Sequence, residues 1–457
     1  MKKRIKFFII FTLFCALCLI GLVGCGGGNA ASMTGAARDF NNNPGNNPEN
    51  QGQAQDKNQE IEIQEMSELQ LSPTLSLTPT PSPSPSPTPD PVLEILSNMT
   101  LAEKVGQLFL IRPEQINPYE SARLKTARSV MDNAADNSGA NTTELTDAMR
   151  GMLDRYPAGG FILFAKNITS PEQVIKFNQD LKQSCKITPF LAIDEEGGRV
   201  ARIANHAGFE VKKYKSMYSI GATGDFSKAY EAGDTIGGYL NQYGFNLDFA
   251  PDADLTTNPN SNSSGIGDRS FGGDPELVSE MVRNFISGLH NHGVLATLKH
   301  FPGHGDTSSD THNGYVAVRK SWDELLNREL KPFINNFDMT DMIMVSHVTA
   351  VNAISDGMPA TLSWELLTGK LRNELGYQGL LITDALEMGA ITENYTPAEA
   401  AVMALEAGND IILIPQDYPA AFDGILAAVW TGRIPESRID ESVKRILTAK
   451  LNLQNAG

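Results

Sequence analysis

Cysteine is scarce in this chain of 457 residues: there are four, and Cys15, Cys18 and Cys25 fall within the first 25 positions. Beyond them only Cys185 is left, so the remaining chain cannot form an intrachain disulfide, and Cys185 is expected to be a semi-buried core thiol. Positive charge is also in deficit. With 37 Lys and Arg against 54 Asp and Glu the net charge is −17, and −21 once Lys2, Lys3, Arg4 and Lys6 are set aside. That balance argues against a nucleic-acid partner and suggests a soluble body. No phosphate-binding glycine pattern follows the first predicted strand, which speaks against a doubly wound open sheet.

Residues 1–25 have the pattern of a secretory leader, with a basic start and an apolar run from Phe7 to Val23. The run ends Leu22-Val23-Gly24-Cys25, which resembles the lipobox of bacterial lipoproteins, whose cysteine receives the lipid and becomes the mature N-terminus. A plain signal peptide or a transmembrane anchor is the competing reading. Either places the body outside the cytoplasmic membrane. Residues 26–91 are first rich in Asn, Gln and Gly and then in Pro, Ser and Thr, as in Thr78-Pro79-Thr80-Pro81-Ser82-Pro83. Neither composition can bury a core, and the proline-rich part is expected to act as an extended spacer.

A folded domain is expected over residues 92–457. Thr100-Leu101-Ala102-Glu103 fits a capping box at the start of an amphipathic helix. Eight short apolar runs then recur with helical stretches between them: Gln107–Arg112, Gly160–Ala165, Phe190–Asp194, Phe245–Ala250, Val294–His300, Met342–His347, Gly379–Asp384 and Asp410–Pro415. Near-continuous apolar strands, each followed by a helix, predict a parallel sheet covered on both faces. Eight such units predict an α/β fold of the single (β/α)8 TIM-like barrel kind, with a doubly wound open sheet as the alternative. Several runs end in ionisable residues, namely Asp194, Lys299-His300, His347 and Asp384, and a barrel gathers those ends around one mouth.

The densest chemistry lies after the fifth run. Residues 299–312 hold three of the chain's seven histidines together with Asp306 and Asp310, in a loop punctuated by Pro302, Gly303 and Gly305. Asp310 and His312 are two apart, so in an extended loop they point the same way, and the carboxylate can orient and charge the imidazole for general acid work. The alternatives are a solvated polar loop or a metal site, since His300, His304, Asp306, Asp310 and His312 are all ligand types. That stretch shows no familiar metal-ligand spacing, and neither a metal nor another cofactor is expected. Asp384 closes an apolar strand, where a carboxylate is costly unless it is solvated or used. It can serve as nucleophile, ligand or base, or as the N-cap of a helix starting at Ala385.

Taken together, Lys299-His300-Phe301-Pro302-Gly303-His304-Gly305 and Asp310-Thr311-His312 resemble the signature of family-three glycoside hydrolases in their β-N-acetylglucosaminidase branch. Leu101–Leu108, Gly160–Phe164, Asp194–Arg202, Asp268–Gly272 and Thr383–Met388 are similar to further motifs of that family, in the same order, so the resemblance spans about residues 95 to 453. It implies a retaining exo-β-N-acetylglucosaminidase acting on terminal β-linked N-acetylglucosamine, with peptidoglycan fragments as the expected substrate. It implies Asp384 as the nucleophile and His312 as the acid/base with Asp310 as its dyad partner. Asp194, Arg202, Arg269, Lys299 and His300 would hold the terminal sugar. A histidine replaces the usual second carboxylate of a retaining pair. The barrel is also compatible with a β-glucosidase, a β-xylosidase or a β-N-acetylglucosaminide phosphorylase, and, from another class, with an inactive sugar-binding lipoprotein. Some relatives carry a second domain after the barrel; here the sequence given stops at Gly457, shortly after the eighth unit.

Overall fold

The computed structural model describes residues 90–118, 141–260, 265–305, 307 and 314–455. The leader, Cys25 and the Asp310–His312 pair lie outside the described residues. Eight parallel strands follow the order of the eight apolar runs: β1 (Phe109–Ile111), β2 (Gly160–Ile162), β3 (Phe190–Ile193), β4 (Leu247–Asp248), β5 (Leu295–Phe301), β6 (Met342–Val345), β7 (Leu380–Thr383) and β8 (Ile412–Leu413). Each pairs in parallel with its sequence neighbour from β1 to β7, and β8 pairs with β1. The remaining seam, β7 against β8, is joined by the Ile382–Ile411 bridge and by the Thr383 N–H donating to Ile411 O at 3.1 Å. The sheet therefore closes into the predicted barrel, and the open doubly wound sheet is excluded.

The strands are shorter than their apolar runs. Gln107 ends the helix Leu101–Gln107 rather than opening β1, and β4 keeps two residues of the six expected. In a closed barrel the tilt of the strands limits how many residues of each can reach both neighbours. Every strand is buried along its length, which accounts for the continuous apolar runs.

Helices cover the outside by the expected periodicity. Pro275–His290 buries Val278, Met281, Val282, Phe285, Ile286 and Leu289 as one stripe, starting at an Asp274 cap that accepts from the Leu277 N–H at 2.8 Å. It lies so close to Phe226–Gln242 that a Cβ on Gly233 would sit 2.1 Å from Phe285 O, so only glycine fits there. The predicted capping box is present at Thr100 and Glu103. From the same helix, Lys104 forms ion pairs with Glu436 and Asp440 of the last helix, Glu436–Asn455, at 2.8 and 2.7 Å.

The base of the β7–β8 seam is held by one fully buried carboxylate. Asp410 Oδ2 accepts from Arg372 at 2.7 Å and from the Leu381 N–H at 3.0 Å, while Oδ1 accepts from Ser442 at 2.6 Å and Arg445 at 3.0 Å. A buried charge with every lone pair engaged is tolerated where an unpaired one is not. Cys185 is half-buried, as expected, and burial pushes its thiol up, away from the reactive thiolate. Among the described residues no helix is long and apolar enough to cross a membrane.

Candidate active site

At the C-terminal end of β3 the chain continues as Asp194-Glu195-Glu196 and turns into a short antiparallel hairpin, Glu195–Gly197 with Val200–Ala201. Alternation along this extended segment sends Asp194 and Glu196 to one side and Glu195 to the other. Glu195 is buried and accepts the N–H groups of Arg202, Ile203 and Ala204 at 2.5, 2.9 and 2.8 Å and the Tyr239 hydroxyl at 2.8 Å. It folds the hairpin back on itself and delivers Arg202 beside Asp194, whose Oδ2 is 3.3 Å from the guanidinium.

Asp194 and Glu196 both meet Lys299, which reaches across from the end of β5. Its amine lies 3.0 Å from Asp194 and 2.5 Å from Glu196 and is itself buried. Glu196 also takes a two-pronged contact from Arg269, at 2.8 Å on each oxygen. Burial by itself would raise the Glu196 pKa, but the Arg269 and Lys299 charges outweigh it and hold the carboxyl well below the usual range. Burial opposes the charge of Asp194 likewise, and Lys299 and Arg202 bring it below its ordinary value. In spite of burial, Lys299 is raised by Glu196 and Asp194, and Arg269 by Glu196 and Asp252. All of these groups are therefore charged at neutral pH.

Arg269 continues the chain of contacts to His300, 3.3 Å from its Nε2, and to Asp252, 3.5 Å away. Burial, and then the neighbouring Asp254, push Asp252 up to about 7. Burial and the Arg269 charge bring His300 down to about 4, so its ring is neutral. The Asp384 charge reaches His300 from the end of β7. Asp384 is half-buried; its N–H donates to Val345 O and its Oδ1 accepts from the Ala385 N–H, both at 2.8 Å. It does not cap a helix, because the next one begins only at Gly389. Instead, the peptides after it are pinned to neighbouring strand ends. Leu386 and Glu387 donate to Leu413 O and Ile414 O, and the Glu387 side chain meets Arg112, beyond β1, at 2.6 Å.

The five expected binding residues, Asp194, Arg202, Arg269, Lys299 and His300, thus form one connected cluster at the mouth, with Asp384 near it. Further residues contribute to the cluster and its surroundings. Glu196 links the two buried cations, and Asp252 adds a carboxyl beside Arg269. His347 is buried, with Nε2 donating to Ala385 O at 2.9 Å and Nδ1 2.8 Å from Thr361 Oγ1, so it braces the peptide that follows Asp384. Glu195, Glu196 and His347 are poorly placed to act as an acid/base in place of His312. The first is spent on four donors, the second is held as an anion by two cations, and the third is buried between a threonine and a carbonyl.

Among the described residues one group has donor atoms close enough to share a metal ion: Asp252, Asp254 and His300, all within 4.8 Å. These atoms have other duties. His300 Nδ1 is bonded to Asp254 at 2.7 Å, and Asp252 faces the Arg269 guanidinium, so a cation there would meet an existing positive charge. The donor set fits a hydrogen-bonded network better than a metal site.

Removing one member of the buried charge cluster exposes its cost. Glu196→Gln leaves Lys299 and Arg269 with one anion fewer in a desolvated setting and is expected to lower stability by about 3 kcal/mol. Because the folded-state pKa of Glu196 is depressed, its contribution is complete above the unfolded carboxylate value and fades as pH falls through the folded one. Denaturant melts should therefore show a constant deficit above about pH 4.5 that narrows at more acidic pH. A deficit that widens in acid, or none at neutral pH, would refute this assignment.

Fold and site together define a (β/α)8-barrel enzyme whose mouth sets alternating buried charges, able to grip the hydroxyls of a sugar ring, beside a carboxylate that ends a strand. Residues 100–449 match the glycosyl hydrolase family 3 N terminal domain. The chain is 34% identical over 344 residues to beta-hexosaminidase A of Pseudoalteromonas piscicida, covering 69% of this chain and 56% of that protein. It is 32% identical over 314 residues to a beta-hexosaminidase of Nitrosomonas eutropha, covering 66% of this chain and 88% of that one. Its structure is similar to that of a glycoside hydrolase family 3 beta-N-acetylglucosaminidase from Paenibacillus sp. str. FPU-7, with a TM-score of 0.67 and 36% identity, covering 78% of this chain and 63% of that one. The chain thus spans little more than half of the Pseudoalteromonas protein and under two thirds of the Paenibacillus one. It belongs to glycosyl hydrolase family 3.

Proposed function

We propose that this protein is a retaining exo-β-N-acetylglucosaminidase that removes terminal β-linked N-acetylglucosamine. The observation that carries the reading is the cluster of Asp194, Arg202, Glu196, Lys299, Arg269 and His300 at the barrel mouth with Asp384 beside it, in a family whose similar members bear that activity in their names. In this reading the charged cluster holds the terminal sugar. Asp384 attacks the anomeric carbon, and the bond to the leaving oxygen breaks as that oxygen takes a proton from His312, charged and oriented by Asp310. His312 then takes a proton from water, which attacks the glycosyl-enzyme ester and frees Asp384.

Release of p-nitrophenol from the β-N-acetylglucosaminide and the β-glucoside, each with and without inorganic phosphate, tests this. The expected result is strong preference for the N-acetylated substrate and indifference to phosphate. Preference for the glucoside, or turnover that depends on phosphate, would sink the assignment in favour of a glucosidase or a phosphorylase. No turnover of either would favour a sugar-binding protein.

The leader motif supports a further part of the proposal. Lipidation of Cys25 would hold the protein on the outer face of the cytoplasmic membrane, with residues 26–91 as a tether, and peptidoglycan fragments would then be the accessible substrate. Cys25→Ser should abolish metabolic labelling by a fatty acid and release the protein from the membrane fraction. A wild-type protein that takes up no label while remaining in that fraction would point to a transmembrane anchor instead.

A further inference from the structure

Asp254 is buried beneath the mouth and has no part in the scheme above. Three N–H donors converge on its carboxylate. Oδ2 accepts from His300 Nδ1 at 2.7 Å and from the His300 backbone at 3.2 Å; Oδ1 accepts from the His304 backbone at 2.6 Å. Asp254 is itself held on both sides, because Ser270 Oγ donates to its carbonyl at 2.5 Å and its N–H donates to Asp252 Oδ1 at 3.0 Å. The two segments also meet at Gly305, where a Cβ would lie 1.9 Å from Leu255 O, so only glycine lets the loop after β5 settle this close to Asp254.

The far side of the His300 ring faces Arg269, 3.3 Å from Nε2. A guanidinium can only donate and a carboxylate can only accept, so the two contacts leave one arrangement: the proton on Nδ1 and the lone pair on Nε2. We propose that Asp254 is a positioning residue that fixes His300 as the Nδ1–H tautomer, so that the single Nε2 lone pair accepts from Arg269 and holds that guanidinium in place to bind the sugar. The part of this that concerns sugar rests on the function proposed above; the tautomer does not. Burial and the nearby Arg269 charge, which keep the ring neutral, agree with it.

Asparagine at 254 cannot reproduce the arrangement. It offers one acceptor oxygen and one NH2 group, whereas both carboxylate oxygens meet N–H donors. If the NH2 faces His300, the ring must accept at Nδ1 and carry its proton on Nε2, donor against donor with Arg269. If it faces the His304 N–H, the loop is pushed away instead.

The test is the ¹⁵N spectrum of the full chain labelled at histidine, with the His300 signals assigned by their loss in His300→Gln. Wild type should show His300 protonated at Nδ1 and unprotonated at Nε2 at neutral pH. Asp254→Asn should move the proton to Nε2 or mix the two forms, and lower kcat/KM for the N-acetylglucosaminide by roughly 10- to 100-fold. An Nε2-protonated or doubly protonated His300 in wild type overturns the proposal, as does an unchanged tautomer in Asp254→Asn. Should the variant not fold, the wild-type spectrum alone decides. An Nδ1–H ring in a protein without glycosidase activity would leave the Asp254–His300 assignment standing and count against the function proposed above.

Discussion

Asp384→Ala is expected to lower turnover by roughly 10⁴- to 10⁶-fold, the range that removal of a covalent nucleophile produces elsewhere. In the function proposed above the side chain attacks the anomeric carbon, and without it no glycosyl-enzyme ester can form. The loss should not come from unfolding. The backbone here is fixed independently of the carboxylate: the Asp384 N–H is bonded to Val345 O, Leu386 and Glu387 are pinned to the β8 end, and His347 holds Ala385 O. The variant gives up the side-chain bond to the Ala385 N–H, worth about 1 kcal/mol. Melting should therefore be nearly unchanged while hydrolysis of an aryl N-acetylglucosaminide disappears. Azide, small enough to enter the space vacated, should restore part of the activity and give a glycosyl azide of inverted configuration. An alanine variant that turns over at the wild-type rate would leave Asp384 without a chemical role.

His312→Ala should separate substrates by their leaving groups. A general acid matters most where the departing oxygen is a poor leaving group, because only then must it be protonated as the bond breaks. On chitobiose or a muropeptide, which release a sugar hydroxyl, the loss should approach the ~10²–10⁴-fold that general acid catalysis contributes. On an aryl glycoside with an acidic phenol the first step should suffer far less. Asp310→Asn should show a weaker form of the same split. The described residues on either side of this pair are held against the barrel. His304 and Gly305 dock on Asp254 and Leu255 at one end, and at the other a Cβ on Gly314 would lie 3.7 Å from Glu393 in the segment after β7. Equal slowing of both substrates would assign His312 to binding rather than proton transfer. The acid would then have to lie elsewhere, and the buried engagements of Glu195, Glu196 and His347 exclude them.

Much of the barrel was legible because a strand buried on both faces has one signature, an unbroken apolar run, and all eight runs became strands in order. Their ends were less legible, as Gln107 and the two-residue β4 show, since the tilt of a closed barrel decides how far each strand pairs. Asp194 and Glu196 could have been read together from their spacing of two, with Glu195 facing the other way, and Asp252 and Asp254 carry the same spacing just beyond β4. What no spacing conveys is that Lys299, over a hundred positions later, completes the first pair, or that Arg269 and His300 complete the second.

The amino-acid sequence by itself thus determined the barrel, the order of its strands and the chemical types gathered at the mouth, because periodicity and composition are local properties. Only the tertiary structure decided the state of each group. Whether a carboxyl is an anion, as Glu196 is between two cations, or is pushed up to about 7, as Asp252 is beside Asp254, depends on desolvation and on charges brought close by closure of the sheet. The same closure set the Asp254 carboxylate and the Arg269 guanidinium on opposite sides of His300 and so chose which ring nitrogen keeps its proton.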